Sequence, residues 1–305
     1  MNQQGDKSDL APVSAVIVAY NEELNIEHCL KSVAGWCGEI LVVDSGSTDR
    51  TREICRSYGA LIYSHAYVDH ASQWDWALKN LPILNDWILP LDADHVVSER
   101  LRDQIIKTCG GKETAVVAYY SRHQYFFHDV SMRGFKRWNL RLFRRSRTVI
   151  DISELVDWRF VVSGETGKLD AVLYEHNRKE DDIDFWIDKH QKFSTRLAAE
   201  EVLRASGRIG WALQPKLFGS VDQKIIWLKN AWLRMPLYLR PLLYFAYRYF
   251  VRLGILDGTV GFAYHFLQAF WFRLVVDMKI AALRRQLQRG EVTLDVLFDL
   301  FAQRR

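Results

Sequence analysis

No segment of the 305-residue sequence offers about 20 consecutive uncharged apolar residues, so no membrane-spanning helix is expected. Its four cysteines, Cys29, Cys37, Cys55 and Cys109, show no Cys-x-x-Cys spacing and have apolar neighbours. Reduced core thiols in a cytosolic protein fit them. The polar opening from Met1 to Lys7 lacks the apolar centre of a signal peptide, so none is expected. The first strand-like run leads into Ala19-Tyr20-Asn21-Glu22 instead of Gly-x-Gly-x-x-Gly, which disfavours dinucleotide binding, and no Gly-Lys-Ser/Thr phosphate loop occurs. With no Lys/Arg-rich run and no nucleic-acid module, nucleic acid is not an expected partner.

Hydrophobic residues at 49% and charged residues at 26% are ordinary for a globular chain, which is long enough for one large or two small domains. The net charge of +4 is unevenly divided. From Lys224 onward there are 13 basic and 5 acidic residues, against 28 and 32 before it. The front is mildly acidic and the tail basic.

The front half alternates strand and helix signals. Val13–Ala19, Glu39–Val43, Ala60–Tyr63 and a run ending at Asp92 read as strands; Val13–Ala19 suits a strand covered on both faces. Helical spacing follows in Ile26, Cys29, Leu30 and Val33, with Gly35 as the stop. Ser47, Thr48 and Asp49 start a second helix that Gly59 ends, and a third lies around Gln73–Asn80. Such alternation predicts an α/β fold with a doubly wound, mostly parallel sheet. Ligands in such sheets bind beyond the carboxyl ends of the strands. Asn21-Glu22, Asp44 and Asp92-Ala93-Asp94 fall there. On a strand, Asp92 and Asp94 share a face and reach one point beyond the sheet edge, where a hard divalent cation, Mg²⁺ or Mn²⁺, takes oxygen ligands and holds a diphosphate.

These motifs resemble the family 2 glycosyltransferases, which have the GT-A fold. The matching pieces are Val16–Glu23, Ile40–Thr51 and Leu89–Asp94, in that order. Trp76-Ala77-Leu78, Leu140–Arg145, Glu154–Asp157 and Asn177-Arg178-Lys179 resemble a subgroup building lipopolysaccharide cores and exopolysaccharides. Gly254–Gly258 and Phe266–Trp271 extend the likeness more weakly. The sequence departs from the subgroup at His95, often acidic there, and in His128–Phe135, which lacks a glycine pair.

The resemblance implies a metal-dependent, inverting transferase that uses a UDP- or GDP-sugar. Ala19, Tyr20, Glu22, Asp44, Ser45, Ser47, Asp92 and Ala93 would form the donor site. Asp94 would ligate the metal directly, and Asp92 would face ribose or metal through water. Related sequences carry an acid at the position of Glu154, which makes it the first candidate for the general base. Asp157 is second, before Asp129, Asp151, Glu165 and Glu175; a solvated carboxylate or a salt bridge with Arg159 is the alternative for Glu154 and Asp157.

Other residues carry two readings each. Lys79 and Asn80 are phosphate contacts or exposed helix-end residues. Arg141, Arg144 and Arg145 are diphosphate ligands or a solvated strand edge. His95 and His176 are metal ligands or ordinary hydrogen-bonded histidines. Asp44 is a base contact or a strand-end turn residue, and Glu22 a substrate contact or a first-turn helix acid.

Pro236–Val276 crowds Leu, Tyr, Phe and Trp between Arg240, Arg248, Arg252, His265 and Arg273, with Gly254, Asp257-Gly258 and Gly261 separating two helices. Aromatics mixed with arginines suit helices lying in a lipid interface, the cations meeting anionic lipids; a helical subdomain or an oligomer face is the alternative. The expected organisation is a disordered 1–12, a nucleotide-sugar-binding half at 13–110, an acceptor-side part at 111–200 and a membrane-associating helical region at 201–305. A lipid-linked saccharide acceptor, at the inner face of a bacterial cytoplasmic membrane, accords with that region. A sugar nucleotidyltransferase and an inert sugar-nucleotide-binding scaffold are the competing readings.

Overall fold

The computed structural model describes residues 10–111, 114–151 and 159–302. Its front half alternates as the sequence predicts. The order is β1 (Ala11–Ala19), α1 (Ile26–Val33), β2 (Cys37–Asp44), α2 (Thr51–Ser57), β3 (Leu61–Ser64), α3 (His70–Asn80) and β4 (Trp87–Asp92). There follow β5 (His95–Val97), α4 (Glu99–Cys109), β6 (Val116–Phe127), β7 (Val130–Arg144), β8 (Thr148–Asp151), β9 (Arg159–Val162) and β10 (Glu165–Glu175). Gly35 and Gly59 stop α1 and α2 with φ of +80° and +72°, values that penalise any Cβ.

Eight strands form one sheet in the order β3-β2-β1-β4-β7-β6-β10-β5. β3, β2, β1 and β4 run parallel, as do β6 and β10; β7 and β5 are antiparallel to their neighbours. β8 and β9 pair separately. Pro90 sits in a central strand without losing a ladder bond to β7, because β7 pairs only with Trp87 and Ile88. One face of the sheet packs Ile17, Leu89 and Leu91 against Ile26, Leu30 and Leu101 of the helices. The other packs Val16, Val18 and Ile88 against Trp74, Ala77 and Leu78 of α3. Burial on both faces explains the unbroken apolar runs of the parallel strands.

The register aligns the carboxyl ends. Ala19 pairs with Asp44, and Val18 with Asp92. At the opposite edge Glu175, the last residue of β10, pairs with His95 of β5.

The remainder is helical: α5 (Ile183–Ala205), α6 (Val221–Leu233), α7 (Leu239–Ala246), α8 (Gly258–His265), α9 (Phe272–Gln288) and α10 (Leu294–Ala302). Two π-helical stretches, Tyr247–Val251 and Phe266–Trp271, continue α7 and α8. A third core joins these helices to the tip of the β6–β7 hairpin through Tyr125, Phe127, Met132, Trp186, Tyr264 and Val276. No helix of the described residues is long and apolar enough to cross a membrane.

Candidate active site

The site starts at the end of β4. Asp92 is the last strand residue, but Ala93 and Asp94 form a turn into β5. The two carboxylates therefore converge by a turn rather than by strand alternation. Ala93 is buried in the core beneath them, which leaves room only for a small side chain. The backbone N–H of Asp92 donates to Nδ1 of His95 at 2.8 Å, closing the turn.

Oxygens of Asp92 and Asp94 and a nitrogen of His95 lie within 4.8 Å of one another, as do ligand atoms of His95, His123 and Glu175. Glu175 Oε2 is 2.5 Å from His123 Nε2 and 4.0 Å from His95 Nε2. His70, at the start of α3, reaches Asp92 Oδ1 at 3.0 Å. Arg141 is buried and donates to His123 Nδ1 at 2.8 Å. Asp94 Oδ1 is buried with no hydrogen-bond partner.

The tautomers follow from these bonds. Each of His95 and His123 uses Nδ1 as an acceptor, so the neutral ring carries its proton on Nε2. Both Nε2–H groups face carboxylates. The histidines serve as donors in this arrangement, and the oxygens of Asp92, Asp94 and Glu175 are the groups left to face a cation. Burial, with Arg141 next, pushes His95 down to about 3 and His123 well below the usual histidine range.

The two aspartates titrate in opposite directions. Burial, then Glu175, Asp92 and Glu22, hold the Asp94 carboxyl well above the usual range. Burial also opposes ionisation of Asp92, but His70 and His95 outweigh it and leave Asp92 below its ordinary value. A carboxyl crowded by like charges and lacking a partner is a group that a divalent cation relieves.

Other expected donor residues line the same rim. Tyr20 is exposed. Asp44 is fully buried, its carboxylate accepting from the N–H of Gly46 at 3.2 Å and of Ser47 at 3.2 Å. It thereby holds the strand-end turn. Ser47 Oγ accepts from Asn21 N at 2.9 Å, and Ser45 Oγ from Gln73 at 2.8 Å. Glu22 is held by Lys179 at 2.5 Å and Asn25 at 2.7 Å, fastening the segment after β10 to the turn after β1. His176 follows Glu175, and its N–H donates to Asp94 O at 3.0 Å. Its Nε2 lies 3.6 Å from Asp181.

Some candidates lie elsewhere. Lys79 pairs with Asp75 at 2.8 Å near the far end of α3, nine residues from His70 and so about 13 Å along the helix. Asn80 caps back onto Trp76 O. Arg144 stacks on Trp87 and pairs with Asp86, and Arg145 donates to Leu78 O. Arg141 alone of that group turns inward to the site, so the solvated-edge reading fails for it. Glu154 and Asp157 lie outside the described residues. His70 and His123 were not among the sequence candidates; β6 and β10 carry His123 and Glu175 from segments with no motif of their own.

Fold and site together define an α/β protein with a carboxylate cluster at the rim of parallel strands. Residues 14–160 match the model of the family described as Glycosyl transferase family 2. The lipopolysaccharide core biosynthesis glycosyltransferase LpsC of Rhizobium meliloti is 30% identical over 200 residues, which cover 63% of this chain and 72% of LpsC. An uncharacterized glycosyltransferase of Rickettsia bellii is 39% identical over 93 residues, 30% of this chain and 31% of that protein. Among solved structures, glucosyl-3-phosphoglycerate synthase from Mycobacterium tuberculosis, crystallised with Mn²⁺, UDP and glucosyl-3-phosphoglycerate, is similar at 22% identity with a TM-score of 0.31. That similarity covers 40% of this chain and 50% of the synthase. The chain belongs to the family 2 glycosyltransferases.

Proposed function

We propose that the protein moves a sugar from a nucleoside-diphosphate donor to a lipid-linked saccharide in bacterial surface polysaccharide synthesis, with inversion at the anomeric carbon. The observation that carries this reading is the convergence of Asp92 and Asp94 at the strand rim, with Asp94 Oδ1 buried and unpartnered. The similarity to LpsC supports a lipopolysaccharide-type acceptor.

The oxygens of Asp94, with Asp92 beside it, are suited to hold Mg²⁺ or Mn²⁺, and such a cation neutralises the charge that develops on a leaving diphosphate. His70 orients the Asp92 carboxylate by a hydrogen bond, and His95 fixes the Asp92 backbone by accepting its N–H. Arg141 fixes His123, whose Nε2 lies 2.5 Å from Glu175 Oε2. Ala19, Tyr20, Glu22, Ser45 and Ser47 face the nucleoside side of the rim; Asp44 acts on that side through the turn it holds. Glu154 takes the proton of the acceptor hydroxyl as it attacks, with Asp157 the second candidate. The enzyme works as a peripheral protein on the inner face of the cytoplasmic membrane.

A thermal-shift series of UDP- and GDP-sugars with and without Mn²⁺ tests the donor half. Stabilisation is expected only with sugar nucleotide and cation together, and is lost in Asp94→Ala. Equal stabilisation of Asp94→Ala would overturn the assignment. Incubating the stabilising donor with lipid-linked saccharide, and analysing the product's anomeric configuration, tests the rest.

A further inference from the structure

Most of the charges that interrupt the apolar tail do not face outward. Arg240, Arg248, Asp257 and His265 are all buried. Arg240 pairs with Asp277 of α9 and with Glu201 of α5. Asp257 accepts from Arg133 N at 2.8 Å. Arg248 lies 4.3 Å over the Phe135 ring, and no carboxylate of the described residues comes within ion-pair distance of it. The apolar side chains point the other way. Leu242, Phe250, Val251, Leu256 and Phe262 are 53%, 56%, 69%, 56% and 48% exposed.

This is the reverse of a water-facing helix pair, in which burying arginine and exposing phenylalanine both cost free energy. The exposed side chains form one surface across both arms: Phe245 and Tyr249 meet Phe262 at 6.3 and 5.6 Å between ring centroids. With a dozen large apolar residues between Tyr238 and Phe266 about half exposed, the patch reaches roughly 1,000 Å², above the few hundred usual for a monomer. Exposed Arg133, Lys136 and Arg137 of β7 lie beside it, and Arg252 bonds to Lys136 O at 2.9 Å.

We infer that α7–α8 is a monotopic insertion device: its inside-out apolar surface enters the acyl layer of an anionic bilayer, while Arg133, Lys136, Arg137 and Arg252 sit at phosphate depth. Of the tail arginines expected to meet lipid, Arg240 and Arg248 are buried and so are not placed at the lipid. The basic rim selects a bilayer over a second copy, because a two-fold interface would bring the same cations together around its perimeter. The inference deepens the membrane placement proposed above and is independent of the transferase chemistry.

Vesicle flotation of the full-length protein tests it, with phosphatidylcholine alone or mixed with phosphatidylglycerol. The protein is expected to float with the anionic vesicles and to stay bound in about 0.5 M NaCl, where surface attraction is screened. Phe250→Glu with Leu256→Glu should reduce the salt-resistant fraction about tenfold or more. Phe262→Glu repeats the test on the other arm. All variants should keep the wild-type melting temperature and the Mn²⁺-dependent response to nucleoside diphosphate. Release of wild type by salt, or unchanged binding of the variants, overturns insertion. A dimer that the substitutions dissolve, with no vesicle binding, overturns it in favour of a second copy. Loss of the nucleotide response with insertion intact would count against the donor site alone.

Discussion

Asp94→Asn is expected to stabilise the protein in the absence of metal while removing its response to metal. Oxygens of Asp92 and Asp94 lie within 4.8 Å of each other. Two unit charges at that distance repel by about 3 kcal/mol at an effective dielectric constant near 20. Both side chains are partly exposed, at 28% and 13%, so the realised figure is smaller, about 1–2 kcal/mol. Asparagine removes that repulsion. Because the Asp94 carboxyl is raised in the folded state, the native protein holds a proton there that the unfolded chain has released. Its contribution is therefore complete below the ordinary aspartate range and is lost as pH rises through the folded value. The gap between Asp94→Asn and wild type should widen as pH rises from the ordinary aspartate range toward the raised folded-state value. Thermal melts in EDTA measure it; about 1.5–2 °C per kcal/mol is the scale for a chain of this size. Adding Mn²⁺ with UDP or GDP should raise wild type and leave the variant unmoved. A variant less stable than wild type at every pH in EDTA, or one that gains equally from Mn²⁺, refutes the reasoning.

Glu154→Gln should lower kcat by about 10²–10⁴ with donor binding unchanged, whereas Asp157→Asn should cost much less; steady-state kinetics on the lipid-linked acceptor decide. Arg240→Ala leaves Asp277, fully buried, and Glu201 without their shared guanidinium and should cost about 3–5 kcal/mol in chemical denaturation. Adding Asp277→Asn should restore part of that loss, as coupled partners do. Gly254→Ala places a Cβ 2.4 Å from His265 Nε2 and 3.0 Å from Arg248 O, and should destabilise by about 1–3 kcal/mol.

The parallel core was legible because strands buried on both faces must be apolar throughout, and because Gly35 and Gly59 mark positions that only a left-handed residue suits. The convergence of Asp92 and Asp94 was legible, but its geometry was not. The i and i+2 rule assumes that the strand continues, whereas Asp94 lies in the turn that His95 closes. Arg141 carried the same two readings as Arg144 and Arg145 because a local pattern cannot separate them; it is the unpaired residue where the β6–β7 register shifts between Leu140 and Leu142, and it is buried while they lie toward the edge. His70, His123 and Glu175 reach the site from segments far apart in sequence, through the β10–β5 and β10–β6 registers. No local pattern encodes those registers. The tail misled for a different reason: composition counts its arginines, but only packing tells which way they face.

His95 occupies a position where an acid would have made a fourth carboxylate beside Asp92, Asp94 and Glu175. Pushed down to about 3 by burial and by Arg141, it is uncharged at neutral pH and adds nothing to the repulsion already present. Its Nδ1 receives the Asp92 N–H, a bond that a carboxylate could also accept. The difference lies in the other nitrogen, whose proton faces Asp92 at 3.5 Å, Asp94 at 4.0 Å and Glu175 at 4.0 Å. A neutral N–H aimed at three carboxyl groups, too far to hydrogen-bond to Asp94 or Glu175, tempers their mutual repulsion while no cation is bound and leaves their oxygens free to turn to one. His95→Glu should therefore bind Mn²⁺ more tightly and melt lower without it, and isothermal titration beside thermal melts in EDTA would register both. A variant that melts as wild type does without metal would show that the imidazole's neutrality is incidental.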